Sequence, residues 1–191
     1  MAWEIDAVHS RARFSVRQTT ARPIRGRFDA IRGSVNVDDE NPMHSWVDAT
    51  VDAASIDTGS VERDARLRSG AVLDAAAYHS ITFKSNRVER VAGQDYTVSG
   101  ELTMHGATHL VHFDAGFDAH GGVSGVRRPA LTARATLNCA DFGLASGTTG
   151  TTRQPVPGEV GAVEIDLTLV SHLPAYPWLP AYPQQIESEH R

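Results

Sequence analysis

Residues 55–74, SIDTGSVERDARLRSGAVLD, constrain the fold most, because they carry helix chemistry inside a chain of alternating segments. Asp57 or Thr58 stands where a helix cap belongs, and Glu62 falls in the first turn. Arg66 and Arg68 fall in the last turn, and Gly70 follows as a residue suited to a left-handed terminal conformation. On both sides, apolar and polar residues alternate with the period of two expected of half-buried strands. Arg11–Arg17 sets Ala12, Phe14 and Val16 against Arg11, Arg13, Ser15 and Arg17. After an Arg22-Pro23 turn, Gly26-Arg27-Phe28 opens a second run. Its phase slips by one residue before Ile31, Gly33, Val35 and Val37, which predicts a β-bulge near Ala30.

Residues 45–53 form a third run, with Val47, Ala49, Val51 and Ala53 opposed to Trp46, Asp48, Thr50 and Asp52. Beyond the helix come Ile81 and Phe83, then Tyr96, Val98, Gly100, Leu102 and Met104. Val111, Phe113, Ala115 and Phe117 follow, then Leu131, Ala133, Ala135 and Leu137, and finally Val163, Ile165, Leu167 and Leu169. Gly93-Gln94-Asp95, His105-Gly106 and Gly121-Gly122 read as turns between runs. About eight sequential strands with turns between neighbours suit an up-and-down barrel or a sandwich. One apolar and one polar face per strand favours a single closed layer. The fold expected is therefore all-β: an eight-stranded antiparallel up-and-down barrel with one short helix inserted between strands. Such a barrel encloses packed side chains or one small ligand. Small inward residues (Ala12, Ala49, Gly100, Ala115, Ala133 and Ala135) suggest space inside.

Residues 1–171 form the expected barrel domain, and residues 172–191 a Pro/aromatic tail that repeats LPAYP at 173–177 and 179–183. The tail favours an extended polyproline-like shape, packed or disordered rather than a partner site. Residues 143–161 form a long Gly/Thr/Pro loop of the kind that serves as a lid or mobile segment. A hydrophobic content of 41% argues against disorder over most of the chain. No apolar run approaches the ~18 residues of a membrane-spanning helix. The first ten residues lack a basic segment followed by an apolar one, so a cytoplasmic location is expected, and the lone Cys139 agrees with it. A net charge of −5 argues against nucleic acid as a partner. Arginine is nevertheless dense near the start, at Arg11, Arg13, Arg17, Arg22, Arg25, Arg27 and Arg32. That face reads as solvated exterior, with peripheral contact to an anionic membrane as the alternative.

Several ordered motifs resemble the YceI-like family, lipocalin-like barrels of bacteria described as polyisoprenoid-binding. The similarity spans roughly residues 3–170 and includes the opening WEIDAVHSRARFSVR, Gly26-Arg27-Phe28 with Gly33, and SIDTGSVERDARLRS with Asp74 and Tyr78. It continues through Ile81-Thr82-Phe83-Lys84-Ser85, the segment from Gly100 to Gly106, and Asp141-Phe142-Gly143. The chain departs from the family pattern at Gln18, at Ala71-Val72-Leu73 after the helix, at His79 and at Asn138. Each replacement keeps the local polarity approximately, and the loss of aromatics after the helix bears on the width of a barrel mouth.

The resemblance implies an interior that holds an isoprenoid-like lipid, a polyprenyl chain or isoprenoid quinone, for sequestration or transport. Inward positions expected to line it are Phe14, Val16, Phe28, Val47, Val51, Phe83, Val98, Leu102, Phe113, Phe117, Leu131, Leu137, Ile165 and Leu167. An apolar chain leaving water gains roughly 25 cal/mol per Å2 buried, so no directional contact is required. No enzyme activity, metal or cofactor is expected. Asp6, His9 and Ser10 lie too close along the chain to converge as a catalytic triad and read as a turn cluster. His109 and His112 fall on opposite strand faces and His105 sits at a turn, so no metal site is expected. Arg63 or Asp64 is expected to anchor the helix, with a ligand-headgroup role for Arg63 or Arg66 as the lesser alternative. An enzyme acting on a small apolar substrate and an interaction module using the tail are the rival functions. Homodimer formation is left open.

Overall fold

The computed structural model describes residues 2–17, 23–38, 40–118, 130–144 and 162–172, the last of these as backbone and strand pairings alone. The strands are β1 (Ala2–Ile5), β2 (Arg11–Arg17), β3 (Ile24–Phe28), β4 (Ile31–Asn36), β5 (Trp46–Asp52) and β6 (Ile56–Asp57). After α1 (Val61–Arg68) come β7 (Ser80–Ala92), β8 (Asp95–Met104), β9 (Ala107–Asp118), β10 (Ala130–Asn138) and β11 (Ala162–His172). All pairings are antiparallel, and neighbours in sequence are mostly neighbours in space. β11 pairs with β10 along one edge and with both β2 and β1 along the other, so the ring of pairings returns to its start.

Eleven strands among the described residues make eight staves, because the first three staves are each broken in two. β1 and β2 run along one stave, β3 and β4 along the next, β5 and β6 along the third. The break between β3 and β4 falls at Asp29 and Ala30, where the phase slip places it. Ser55 stitches the corner: its carbonyl accepts from Asp29 N at 3.3 Å and its hydroxyl from Ala30 N at 3.1 Å. Broken staves let a twisted sheet turn a corner without leaving its amides unpaired.

A second irregularity lies in β7. Ser85 pairs with Gly100, but Arg87 pairs with Ser99, so one extra residue is accommodated between them. Strand alternation therefore reverses: Phe83 faces inward above the bulge and Val88 faces inward below it, both buried. Gly100 makes the bulge possible. A Cβ there would fall against the Lys84 carbonyl oxygen and 2.7 Å from both the Phe83 ring and Ser85 Cα. The space left by this small inward residue is thus taken by neighbours. The β8–β9 turn is His105-Gly106, with φ of 52° and 76°, the two positive values of a type I′ turn.

The helix differs in detail from the sequence expectation. Its cap is Ser60, whose hydroxyl accepts from Arg63 N, in place of Asp57 or Thr58. Asp57 instead turns its carboxylate to Gly59 N at 2.8 Å and to Arg27. At the far end the left-handed residue is Asp74, φ 45°, and not Gly70. The chain continues past Ser69 in further turns, and Asp74 N closes back on the Ser69 carbonyl oxygen. Gly121-Gly122, residues 145–161 of the long loop and the LPAYP tail lie outside the described residues. Gly100→Ala should destabilise the fold by about 1–3 kcal/mol through overpacking. A urea-unfolding midpoint equal to wild type would contradict this account of the bulge.

Candidate functional site

Inward positions on the described staves form one apolar cluster. Nine of the fourteen expected lining residues are buried in it: Val47, Val51, Phe83, Val98, Leu102, Phe113, Phe117, Leu131 and Leu137. Phe14 and Phe28 are half-buried against it, their rings 5.5 Å apart, and Val16 is half-buried near the end of β2. The backbone of Ile165 lies opposite Phe14 and Ala135, and that of Leu167 opposite Ala12 and Ala133. Phe83 and Phe113 meet edge to face at 4.9 Å. Ile5, Ile31, Val35, Ile56, Val88, Tyr96 and Met104 belong to the same cluster.

One end of the barrel is covered by α1 and the turns after it. Leu73 is buried there, with Leu67 and Val72 packed alongside. Leu73 and Val72 thus supply apolar cover where the family pattern has aromatics. Asp64, only 5% exposed, holds this cover in place. Its Oδ1 accepts from Thr58 Oγ1 at 2.6 Å and from Thr58 N at 2.9 Å. Arg68 donates to the Ala54 and Ile56 carbonyl oxygens at 2.8 and 2.7 Å, tying the helix end to β6. The anchor is thus Asp64 with Arg68, while Arg63 is exposed. At the same end Tyr78 stacks edge-on to His105, whose Nδ1 lies 3.2 Å from the Phe142 carbonyl oxygen. Asn138, another departure, caps the turn after β10 by accepting from Ala140 N.

At the opposite end a recess of about 310 Å3, part of it open to solvent, lies between the ends of β4, β5, β7, β8, β9 and β10. Val35, Val37, Val47, Val88, Val98, Phe117 and Leu131 supply most of its wall, with Tyr96, Trp46, Asn36 and Ser45 completing it. The room in it for a water-sized sphere is only about 20 Å3, enough for one water. The rim side chains are therefore near contact. Trp3 stacks on Phe117 beside the recess, ring centroids 5.9 Å apart. Four expected lining residues meet here: Val47, Val98, Phe117 and Leu131. Val88 was hidden in the sequence by the β7 bulge. Tyr96 and Val35 could have been found, since both stand on apolar faces legible from alternation.

The other candidates serve structure. Asp6 Oδ1 accepts from Val8 N at 2.9 Å, and Asp6 Oδ2 is 2.6 Å from His9 Nδ1, which makes the turn cluster expected between β1 and β2. His112 Nδ1 lies 2.7 Å from Ser99 Oγ, and His109 stands edge-on to Phe142. Among the described residues no three histidine, cysteine or acidic side chains converge as for a metal ion. Arg13, Arg25, Arg27 and Arg32 are exposed on the outer face, with Arg27 paired to Asp29 at 2.7 Å.

The model of the YceI-like domain matches residues 3–170. The chain belongs to the YceI-like family. It is 32% identical over 160 residues to a UPF0312 protein of Vibrio parahaemolyticus, covering 83% of this chain and 79% of that one. The crystal structure of Burkholderia cenocepacia BcnA superposes with a TM-score of 0.75 at 21% identity, covering 88% of this chain and 99% of BcnA. A polyisoprenoid binding domain from Saccharophagus degradans superposes with a TM-score of 0.66 at 20% identity, covering 90% and 98%. YceI-like architecture and the present barrel therefore agree.

The Thr58 hydroxyl holds the Asp64 carboxyl below the usual carboxylate range, outweighing the opposing effect of burial. A lowered folded-state value contributes stability that is present above the ordinary value of about 4 and is lost as pH falls through the lowered one. Asp64→Asn should be less stable than wild type at pH 7, and the gap should narrow under acid. A gap that stays constant from pH 7 to strong acid would show that the Asp64 charge is irrelevant to the anchor.

Proposed function

We propose that this protein binds the chain of an isoprenoid-like lipid in its barrel, for sequestration or transport. One observation carries the reading: the inward faces of the described staves merge into a continuous apolar cluster that reaches an apolar recess at one rim. Burial is then the chemistry. Each methylene removed from water contributes roughly 0.8 kcal/mol, so a chain of several isoprene units binds without polar contacts. The family and the Saccharophagus neighbour's polyisoprenoid binding support this choice of ligand class. With so little room in the recess, entry requires the rim side chains to move apart, and Val98 and Phe117 line the way in.

Catalysis on a small apolar substrate is less well supported. It would need an ionisable group facing the ligand, and the two buried carboxylates among the described residues are engaged elsewhere. Asp6 braces the turn before β2 and Asp64 braces the helix; neither lines the recess. Native mass spectrometry of the purified chain, and of delipidated chain offered prenyl alcohols, tests the proposal. Retained or acquired prenyl lipid is expected. Ala133→Leu, adding bulk at a buried inward position, should weaken uptake about tenfold or more, because the added methylenes take space that a bound chain would need. Leu110→Ala, on the exposed outer face, should leave uptake unchanged. A chain that is isolated empty and ignores every prenyl lipid would end the proposal.

A further inference from the structure

β11 runs toward the recess and delivers the chain to its rim. Leu169 pairs with Leu131, a wall residue. His172 pairs with Glu4, and the neighbouring Trp3 pairs with Val35, another wall residue. The residues after His172 therefore begin at the edge of the opening. Their sequence, LPAYPWLPAYP over 173–183, places proline at 174, 177, 180 and 183 and carries no charge. Proline fixes its own φ and pushes the preceding residue toward extended backbone. This spacing thus favours a polyproline II helix of three residues per turn. At that period Leu173, Tyr176, Leu179 and Tyr182 fall on one face.

Among the described residues the recess wall likewise holds no charged side chain, and it includes Trp46, Tyr96 and Phe117. Trp46 and Met43 are exposed at this rim, and Val37 is half-buried there. Aromatic-lined apolar grooves are the surfaces on which polyproline helices dock. Eight staves about 4.8 Å apart enclose an opening roughly 15 Å across, and five residues at about 3.1 Å each span it. One LPAYP unit is long enough to cross.

We propose that residues 173–183 form a strap that crosses the recess of the same chain, with its Leu/Tyr face on the rim at Val37 and Trp46. Attachment at His172 favours this occupant over a second copy or a foreign ligand. A tether that starts at the rim raises the local concentration of the strap to roughly millimolar. A helix already held extended by its prolines loses little entropy on docking. The docking does not depend on the lipid-binding reading above, but its consequence rests on it: a lipid chain entering the recess must displace the strap.

Tyrosine nitration of the delipidated full chain, located by peptide mass spectrometry, tests the strap, with the exposed Tyr78 at the covered end as internal reference. Tyr176 should react about tenfold more slowly than in a free peptide of residues 173–183, as for a strap docked about nine-tenths of the time. Leu173→Ser with Leu179→Ser on the docking face, or Val37→Asp on the rim, should restore the peptide's rate. Ala175→Ser with Ala181→Ser, off that face, should not. Protection should be independent of protein concentration, whereas a contact between copies would not be. Isothermal titration of the Leu→Ser pair with farnesol should show about tenfold tighter binding than wild type, since the recess is no longer covered. If Tyr176 reacts as fast as in the peptide, or is protected only at high protein concentration, the strap is wrong whatever farnesol does. If Tyr176 is protected but farnesol binds equally to both chains, displacement is wrong. If it is protected and neither chain binds farnesol or a longer prenyl alcohol, the strap stands and the lipid-binding reading fails.

Discussion

The structure depends on the double pairing of β11. With β10 on one edge and β2 and β1 on the other, this strand turns an open sheet into a ring. An open sheet of this size would offer two edges of unpaired amides and carbonyls to other chains, whereas closure satisfies them internally. Closure also decides where apolar area goes. Alternation gives every strand a greasy side, but only a ring directs all those sides toward one axis, so that Phe14, Phe83, Phe113 and Phe117 share one interior.

Given closure, the irregularities become functional geometry. The broken first three staves let the wall bend, and the Ser55 corner keeps the amides there partnered. α1 covers one end through Leu67, Val72 and Leu73, held by the Asp64–Thr58 and Arg68 hydrogen bonds. The other end keeps the recess. The β7 bulge brings Val88 to an inward position and pairs Arg90 with Tyr96 at that rim, which no uniform strand would have done.

Much of this was legible in the chain. Alternation identified the staves, the slip at Ala30 located an irregularity that reads as a bulge and is a break between β3 and β4, and the inward faces named most of the buried cluster. The turn cluster at Asp6 and the exposed arginine face were also readable, because short-range hydrogen bonding and charge depend on nearby residues. What escaped was anything set by a partner several strands away. The cap at Ser60 and the left-handed Asp74 arise because Asp57 is drawn to Arg27 and because the chain after α1 folds back over the barrel. The inward positions of Val88 and Arg90 are not legible from a count by twos, since the extra residue after Ser85 is tolerated only where Gly100 faces it.

By itself the sequence determined the all-β class, the place of the single helix and the apolar character of the inward faces, because a period of two is local and survives whatever a strand packs against. Only the tertiary structure decided how those faces are phased around the ring. It also decided how much of the inner space neighbouring rings consume, and which charged side chain reaches the rim. Those outcomes depend on register, and register is a property of two strands at once, which one strand's residues cannot carry.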